Sequence, residues 1–413
     1  MVGSAFGIER AYRLQPSLDE AADDAVAQLT VAGPRVRQTV LLPYAGGLGY
    51  FIVPAAGASV TIDAGRDFRV ETLDLPLSIW LQLRLRLLFK KKKYLKFEEF
   101  SLFSYGRKPQ RKRFTTFNQR MLDIGAALDG ELLTGHPELL TGWPAIEPIR
   151  AAPAKGSRNT TAVVAHIYYE DTWTDIAEAL KRVTVPVDLI VTTNPGREPF
   201  IERVRAEFPD ADIEEIENRG RDLRPFLSLL ERGRLDRYRY VCKIHSKKSI
   251  TAGRNPELGA LWRRRLLFDL LAAPGVVEAI IERFARDPSI GMVGPRAFRM
   301  PSAAYPEELA WVGNRPITLA IAEKMGVPPE RFRLDFFAGT MFWVRPEALA
   351  PLRRLELAEA CLDEQGAIDG VIEHAIERVF PTAVLAAGYR VEDCDACADV
   401  LGHGASAPLA KKL

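Results

Sequence analysis

The chain predicts an α/β fold: a mostly parallel sheet flanked by helices, with a smaller accessory region ahead of it. Three observations lead there. From Ala162 onward short apolar runs alternate with helical segments, the pattern of parallel strands joined by crossovers. A small, polar stretch, AAPAKGSRNT (Ala151 to Thr160), reads as a linker before that part. The 413 residues exceed one ordinary core, so two or three domains are expected. The boundaries drawn are an accessory region over 1–150, an α/β domain over 161–393 and a tail over 394–413.

AVVAHIYY (Ala162 to Tyr169) is a near-continuous apolar run, the mark of a buried strand. TDIAEALKRV puts Ile176, Ala179, Leu180 and Val183 at helical spacing, opened by Thr172 with Asp175 three residues on. VDLIVTTN (Val187 to Asn194) is the second strand; Pro195-Gly196 then turns into a helix bearing Ile201, Val204 and Phe208. DIEEIEN (Asp212 to Asn218) is the third strand and DLRPFLSLL the third helix. YRYVCKIHSKKS (Tyr238 to Ser249) opens with the fourth strand, Tyr238, Tyr240, Cys242 and Ile244 alternating with more polar neighbours. Ligands of such sheets bind at the carboxyl ends of the strands. Those ends are His166 to Tyr169, Thr192 to Asn194, Asn218 to Asp222 and Ile244 to Lys248. In the accessory region TVLLPY, GYFIVP and ASVTID (Thr39 to Asp63) are strand-like and predict a small β unit.

The apolar fraction of 47% and charged fraction of 27% are those of a folded, soluble protein. Four cysteines do not make a disulfide framework, and Cys242 lies mid-strand, so a reducing compartment is expected. Met1 to Leu14 carries charges without the apolar core of a signal peptide. No apolar run approaches the roughly 20 residues that span a bilayer. The net charge of +2 hides a concentration: Arg84 to Arg113 holds twelve Lys or Arg against Glu98 and Glu99. Joined to SIWLQLRLRLLF, this run either docks on an anionic membrane surface or is a core helix followed by solvated lysines. No nucleic-acid-binding module accompanies it, so no nucleic-acid partner is expected.

The end of the fourth strand is rich in bases, with Lys243, His245, Lys247 and Lys248. Fixed cations at a cleft mouth suit an anion such as a diphosphate, lysine acting as a point charge. The alternative is a solvated basic loop.

HIYYED, ENRGRDLRPF, KIHSKKS, FFAGTMFWVRPEAL and DGVIEHAIERVF, in this order, resemble the rhamnan synthesis protein F family, glycosyltransferases of cell-surface polysaccharide assembly, over about Thr161 to Asp393. The resemblance implies a GT-A-like nucleotide-sugar fold. It implies transfer of a deoxyhexose, typically rhamnose, from dTDP-rhamnose or GDP-rhamnose to a lipid-linked or growing polysaccharide. It does not extend to residues 1–150. The layout is also similar to glycosyltransferase family two, whose third strand ends in Asn-x-Gly, as at Asn218 to Gly220. There the fourth strand ends in Asp-x-Asp, which holds a divalent cation against the donor diphosphate. His245-Ser246-Lys247 stands in that place here and supplies no carboxylate. Lys247, Lys248 and His245 are therefore expected to replace the metal, with no cofactor required, and to offset charge on the leaving diphosphate; the alternative is a divalent ion held by Asp222 alone. The implied location is cytoplasmic, peripheral to the inner membrane. The rival is a non-catalytic glycan- or nucleotide-binding module of a polysaccharide assembly complex.

Against that resemblance the remaining motifs take roles. His166, Tyr168 or Tyr169 would stack on the nucleobase, alternate members being core. Gly220 lets backbone approach a ligand, and Arg219 or Arg221 can grip phosphate. Asp222 either hydrogen-bonds a hydroxyl or caps the helix begun at Pro225. Gly339 and Thr340 permit close approach of sugar or acceptor, Phe342 and Trp343 read as core, and Asp335 either meets a sugar hydroxyl or caps a turn. Trp262 can stack on a sugar, while Arg263, Arg264 and Arg265 read as the exposed basic face of an ordinary helix. DEQGAIDGVIEHAIERVF reads as a helix from about Ala367, with Asp369 as the base that deprotonates the acceptor and Glu364 second. His374 joins the sugar or acceptor site, and Glu373, Glu377 and Arg378 fit a solvent-facing ion-pair array. Cys394 to Cys397, CDAC, lacks the four ligands of structural zinc and carries no assigned role.

Overall fold

Thr161 to Ile167 is buried at every residue, as a strand covered on both faces must be. The structure, a computed structural model, describes residues 10–16, 26–32, 37–43, 49–55, 57–63, 68–74, 94–96, 100–105, 136, 138–148, 159–248, 256–301, 307–311, 313–361 and 370–401. The chain divides into two units, 1–142 with 249–261 and 143–248 with 262–413.

In the first unit the strands are β1 (Arg10–Pro16), β2 (Val26–Ala32), β3 (Arg37–Pro43), β4 (Gly49–Pro54), β5 (Ser59–Asp63), β6 (Phe68–Asp74), β7 (Tyr94–Lys96) and β8 (Phe100–Tyr105). They form a five-stranded sheet, β6-β1-β4-β8-β7, and a three-stranded sheet, β3-β2-β5, antiparallel throughout. Leu14, Tyr50 and Leu102 of the larger sheet share one core with Leu29, Val31 and Leu42 of the smaller, making a β-sandwich. The three strand-like runs seen in the sequence are β3, β4 and β5. β1, β2, β6, β7 and β8 were not read from the sequence. The apolar and basic residues 78–93 and the linker residues 151–158 lie outside the described residues. Among the described residues no helix is long and apolar enough to cross a membrane.

In the second unit β9 (Thr161–Ile167), β10 (Asp188–Thr193), β11 (Asp212–Glu215), β12 (Tyr240–His245), β13 (Ile290–Pro295), β16 (Phe342–Val344) and β17 (Arg390–Cys394) form one sheet in the order β11-β10-β9-β12-β16-β13-β17. Only β16 runs antiparallel to its neighbours. β14 (Arg299–Met300) and β15 (Phe336–Phe337) pair separately. Side chains alternate between two helical layers. Ala162, Val241 and Phe342 pack with Phe226 of helix α3 (Leu223–Glu231) and Phe380 of α7 (Ile372–Ala386). On the other face Tyr240 stacks on Phe284 of α5 (Val276–Arg286), ring centroids 5.0 Å apart. Helices α1 (Trp173–Lys181), α2 (Glu198–Glu207) and α6 (Arg315–Lys324) complete the longer helices of this unit, and α4 (Pro256–Leu267) has residues 256–261 in the first unit and 262–267 in the second.

This order places the site. β10 and β11 lie on one side of β9 and β12 on the other, so the direction of strand addition reverses between β9 and β12. That is the switch point at which open α/β sheets hold ligands. His166, next to last in β9, and His245, last in β12, are register partners there. Because β16 is antiparallel and Phe342 pairs with Lys243, the Gly339–Thr340 turn is delivered to the same edge.

Several local expectations change. Thr172 does not cap α1; its Oγ1 donates to Tyr169 O at 2.7 Å, and Asp175 is taken by Arg263 and Arg264. Arg263, Arg264 and Arg265 are 5%, 8% and 2% exposed, not an exposed face. Arg265 meets Asp269 at 3.2 Å and Asp395 at 3.6 Å. Asp175 and Asp395 come from distant segments, which local periodicity does not register, while Asp269 stands four residues after Arg265. Helix α7 starts at Ile372 rather than near Ala367, after Gly370 at φ +77° and an extended Val371. Glu373 and Arg378 are buried rather than solvent-facing, and Arg378 donates to Ala310 O at 2.8 Å. The packed unit also runs past 393: Cys394 ends β17, a short helix Ala396–Asp399 follows, and Ala396 N donates to Asp269 Oδ1 at 3.2 Å. Burial pushes the Cys394 thiol well above its ordinary range, so it is not a ready thiolate.

Candidate functional site

The site is built on the carboxyl edge of β9 and β12. Lys243, 1% exposed in the middle of the sheet, sends its ammonium to Asp222 Oδ2 at 2.6 Å and Thr340 O at 2.9 Å. Asp222 thus does not cap α3; its carboxylate is spent on the lysine. His245 Nε2 donates to Gly339 O at 2.8 Å and lies 3.8 Å from Asp222 Oδ2. His166 Nδ1 is hydrogen-bonded to Thr192 Oγ1 at 3.0 Å, a buried partnership that fixes the ring. Gly339 and Thr340 adopt φ of +99° and +51°, a region costly for threonine. The turn is held by three side chains: Lys243 and His245 donate to its two carbonyls, and Glu377 Oε1 accepts Gly339 N–H at 2.8 Å.

At the mouth, Lys247 places its ammonium 4.2 Å from the centroid of the Trp262 ring. Trp262 in turn stacks on Phe298 at 5.5 Å. A Cβ on Gly339 would stand 3.0 Å from Leu266, 3.5 Å from Trp262 Nε1 and 3.6 Å from Lys247 Cδ, so glycine is what lets these groups converge. Ser246 Oγ accepts N–H groups of Tyr168 at 2.8 Å and Tyr169 at 3.1 Å, tying the β9 end to the β12 end. The two tyrosines meet edge to face at 4.7 Å, and Asn218 Nδ2 is 3.5 Å from Tyr168 OH. Arg197 lies over Tyr168 at 5.1 Å. Arg221, at φ +55°, donates to His374 Nε2 at 2.7 Å, joining the loop after β11 to the first turn of α7.

The cations now separate. Lys243 is paired with Asp222, and Lys248, exposed, with Asp171. Arg219 is consumed by the carbonyls of Cys361 and Glu359, both at 2.6 Å, and Gly220 packs so tightly on Cys361 that a Cβ would come within 2.5 Å. Asp335 is gripped by Arg299 through two bonds of 2.8 and 2.6 Å, which leaves it no capping role. Lys247 has no carboxylate partner among the described residues. Burial lowers its pKa from the ordinary lysine value, partly offset by the Glu377 and Asp222 charges. Asp369 and Glu364 lie outside the described residues.

Burial alone would raise the Asp222 carboxyl, but neighbouring His245 and Lys243 outweigh it and hold the group well below the usual range. With His245 neutral at pH 7, the Lys243 ammonium maintains that charge. Burial lowers His166 to about 3 and His245 to about 4. Both folded values lie below the ordinary 6.5, so these rings stabilise the fold above pH 6.5 and lose that contribution as pH falls toward 4. Each costs up to about 1.4 kcal/mol per pH unit in that window. Urea midpoints between pH 7.5 and 5 should fall more steeply for the wild type than for His166→Asn; parallel slopes would show that His166 is not held neutral by the fold. Among the described residues no group of three His, Cys, Asp or Glu is arranged to hold a metal ion.

The structure gathers His166, Tyr168, Tyr169, Asn218, Asp222, Lys243, His245, Lys247, Trp262, Gly339 and Thr340 at one edge of one sheet, with Arg221 linked to His374 beside them. Sequence reasoning placed Thr192 and Ser246 at strand ends without giving them a role, and it missed Arg197 and Glu377 as parts of the site. Ser246 sat within the basic motif and was passed over for its charged neighbours. Glu377 was read as part of a solvent-facing array.

The second unit is a doubly wound α/β domain whose switch point, where such sheets hold ligands, carries Lys243, His245 and Lys247. The family described as rhamnan synthesis protein F matches residues 144–389, and the chain belongs to that family, one of polysaccharide synthesis. Two curated relatives, each named Uncharacterized protein WxcX and from two strains of Xanthomonas campestris pv. campestris, are 32% identical over 269 residues, 65% of this chain. The chain spans 37% of the length of each.

Proposed function

We propose that the second unit is a GT-A-like glycosyltransferase that moves a deoxyhexose, most simply rhamnose from dTDP- or GDP-rhamnose, onto a lipid-linked or growing surface polysaccharide. One observation carries this: Lys247, a half-buried lysine without a carboxylate partner among the described residues, stands at the switch point where family-two enzymes hold a metal-bound diphosphate. An unpaired buried ammonium is costly unless an anion completes it. The donor diphosphate supplies that anion, with no metal required. Lys247 and Arg221 offset the charge that develops as the nucleoside diphosphate leaves, Tyr168 and Tyr169 take the base, and the Gly339–Thr340 turn and Trp262 line the sugar. Asp369, with Glu364 second, deprotonates the acceptor hydroxyl. The enzyme works at the cytoplasmic side of the inner membrane, held to anionic lipid by its basic segment, and takes no nucleic acid.

Acceptor-dependent release of nucleotide from candidate nucleotide sugars tests this. The rate should persist in EDTA and be indifferent to added magnesium or manganese; a rate that collapses in EDTA and returns with either ion contradicts the metal-free mechanism. Asp369→Asn should lower turnover at least about 10²-fold with nucleotide affinity nearly unchanged, and wild-type turnover would remove Asp369 from the chemistry.

A further inference from the structure

A lysine in the central strand of a parallel sheet is expensive unless its charge is met. Around Lys243 Nζ stand Asp222 Oδ2 at 2.6 Å and Thr340 O at 2.9 Å, with the Phe226 ring centroid 5.8 Å away. The two acceptors come from separate places, the loop after β11 and the turn before β16, and the ammonium that donates to both comes from β12. The turn takes a conformation unfavourable to threonine, and that conformation is the one in which Thr340 O accepts from the lysine. A carboxylate oxygen and a main-chain carbonyl converging on one point are the ligands of a cation. Their distances match ammonium hydrogen bonds of about 2.7–2.9 Å. Both exceed the about 2.0–2.1 Å of Mg²⁺, and the Thr340 distance also exceeds the about 2.3–2.6 Å of Ca²⁺.

We propose that Asp222 Oδ2 and the Thr340 carbonyl form an internal binding site for one ammonium-type monocation. The chain fills this site with its own Lys243; with that side chain truncated, the site takes up a free alkylammonium ion. The tethered cation is a positioning residue. It pins the β11 loop and the strained turn across the end of β12, and it leaves Asp222 Oδ2 unavailable to a divalent ion. Its consequence for transfer rests on the function proposed above, but the cation site itself does not.

The test is thermal unfolding of Lys243→Ala in n-propylammonium, n-propanol, tetramethylammonium or Mg²⁺ at matched ionic strength. Propylammonium should raise the unfolding temperature of Lys243→Ala by at least about 3 °C. It should leave the wild type and the Asp222→Asn/Lys243→Ala double variant unmoved. Propanol matches the shape without charge, and tetramethylammonium the charge without N–H groups, so neither should act. If Lys243→Ala does not fold alone, its refolding yield from urea with and without propylammonium is read instead, with the same expectation. No response, an equal response to the control solutes, a response surviving in the double variant, or stabilisation by Mg²⁺ in its place each overturns the proposal. No donor enters these melts. Rescue in a chain that transfers no sugar keeps the cation site and removes the transferase function.

Discussion

Lys247→Met lowers kcat/KM for the nucleotide-sugar donor by about 10²–10³-fold, the loss seen when one preorganised group facing transition-state charge is removed. Methionine keeps the length and the packing over Trp262, so the change removes charge and little else. The loss should fall mainly on kcat, because charge accumulates on the diphosphate as the glycosidic bond breaks. The pH profile gives a second readout. Burial lowers the Lys247 pKa from its ordinary value, and the protonated form acts, so the rate falls as pH rises through that lowered value. The alkaline limb therefore lies below the range of an exposed lysine. Lys247→Arg, whose charge does not titrate there, should move that limb upward in whatever activity it retains. A Lys247→Met enzyme with wild-type kcat would remove Lys247 from the mechanism.

Lys243→Met destabilises the second unit by about 3–5 kcal/mol, because it leaves the Asp222 carboxylate half-buried without its partner. The size follows from the geometry: 2.6 Å to the carboxylate, 2.9 Å to a carbonyl, and a lysine 1% exposed. Replacing both partners, Asp222→Asn with Lys243→Met, removes the charge and its counter-charge together and should recover most of the loss. Urea denaturation of the two single variants and the double variant measures the coupling. Additive losses would mean that the two residues do not act as a pair.

The parallel half of the sheet was legible because β9 and β10 are apolar runs, β12 alternates, and the segments between them carry apolar residues at helical spacing. The candidate site was drawn from strand ends alone, and the basic end of β12 was readable as charge. Which charges are free was not readable. Lys243, Lys247 and Lys248 sit within six residues of one another, yet one is buried on Asp222, one is exposed on Asp171, and one has no carboxylate partner among the described residues. Strand alternation separates their directions, but their counter-ions come from residues 21 and 77 positions away. Arg219 and Arg221 teach the same lesson, since two arginines flanking one glycine go to backbone carbonyls and to His374. The β-sandwich was seen only through the apolar runs of β3 to β5; β1, β2, β6, β7 and β8 were not read, β6 because its Phe68, Val70 and Thr72 alternate with charged residues.

The measurement closest to the central claim is a crystal structure of the chain grown with a nucleoside diphosphate and Mn²⁺, manganese being located by its anomalous scattering. The account predicts the diphosphate at the β9–β12 edge within hydrogen-bond reach of Lys247 Nζ, with no manganese between them. A manganese ion bridging the diphosphate to Asp222, or a diphosphate bound away from Lys247, would contradict it.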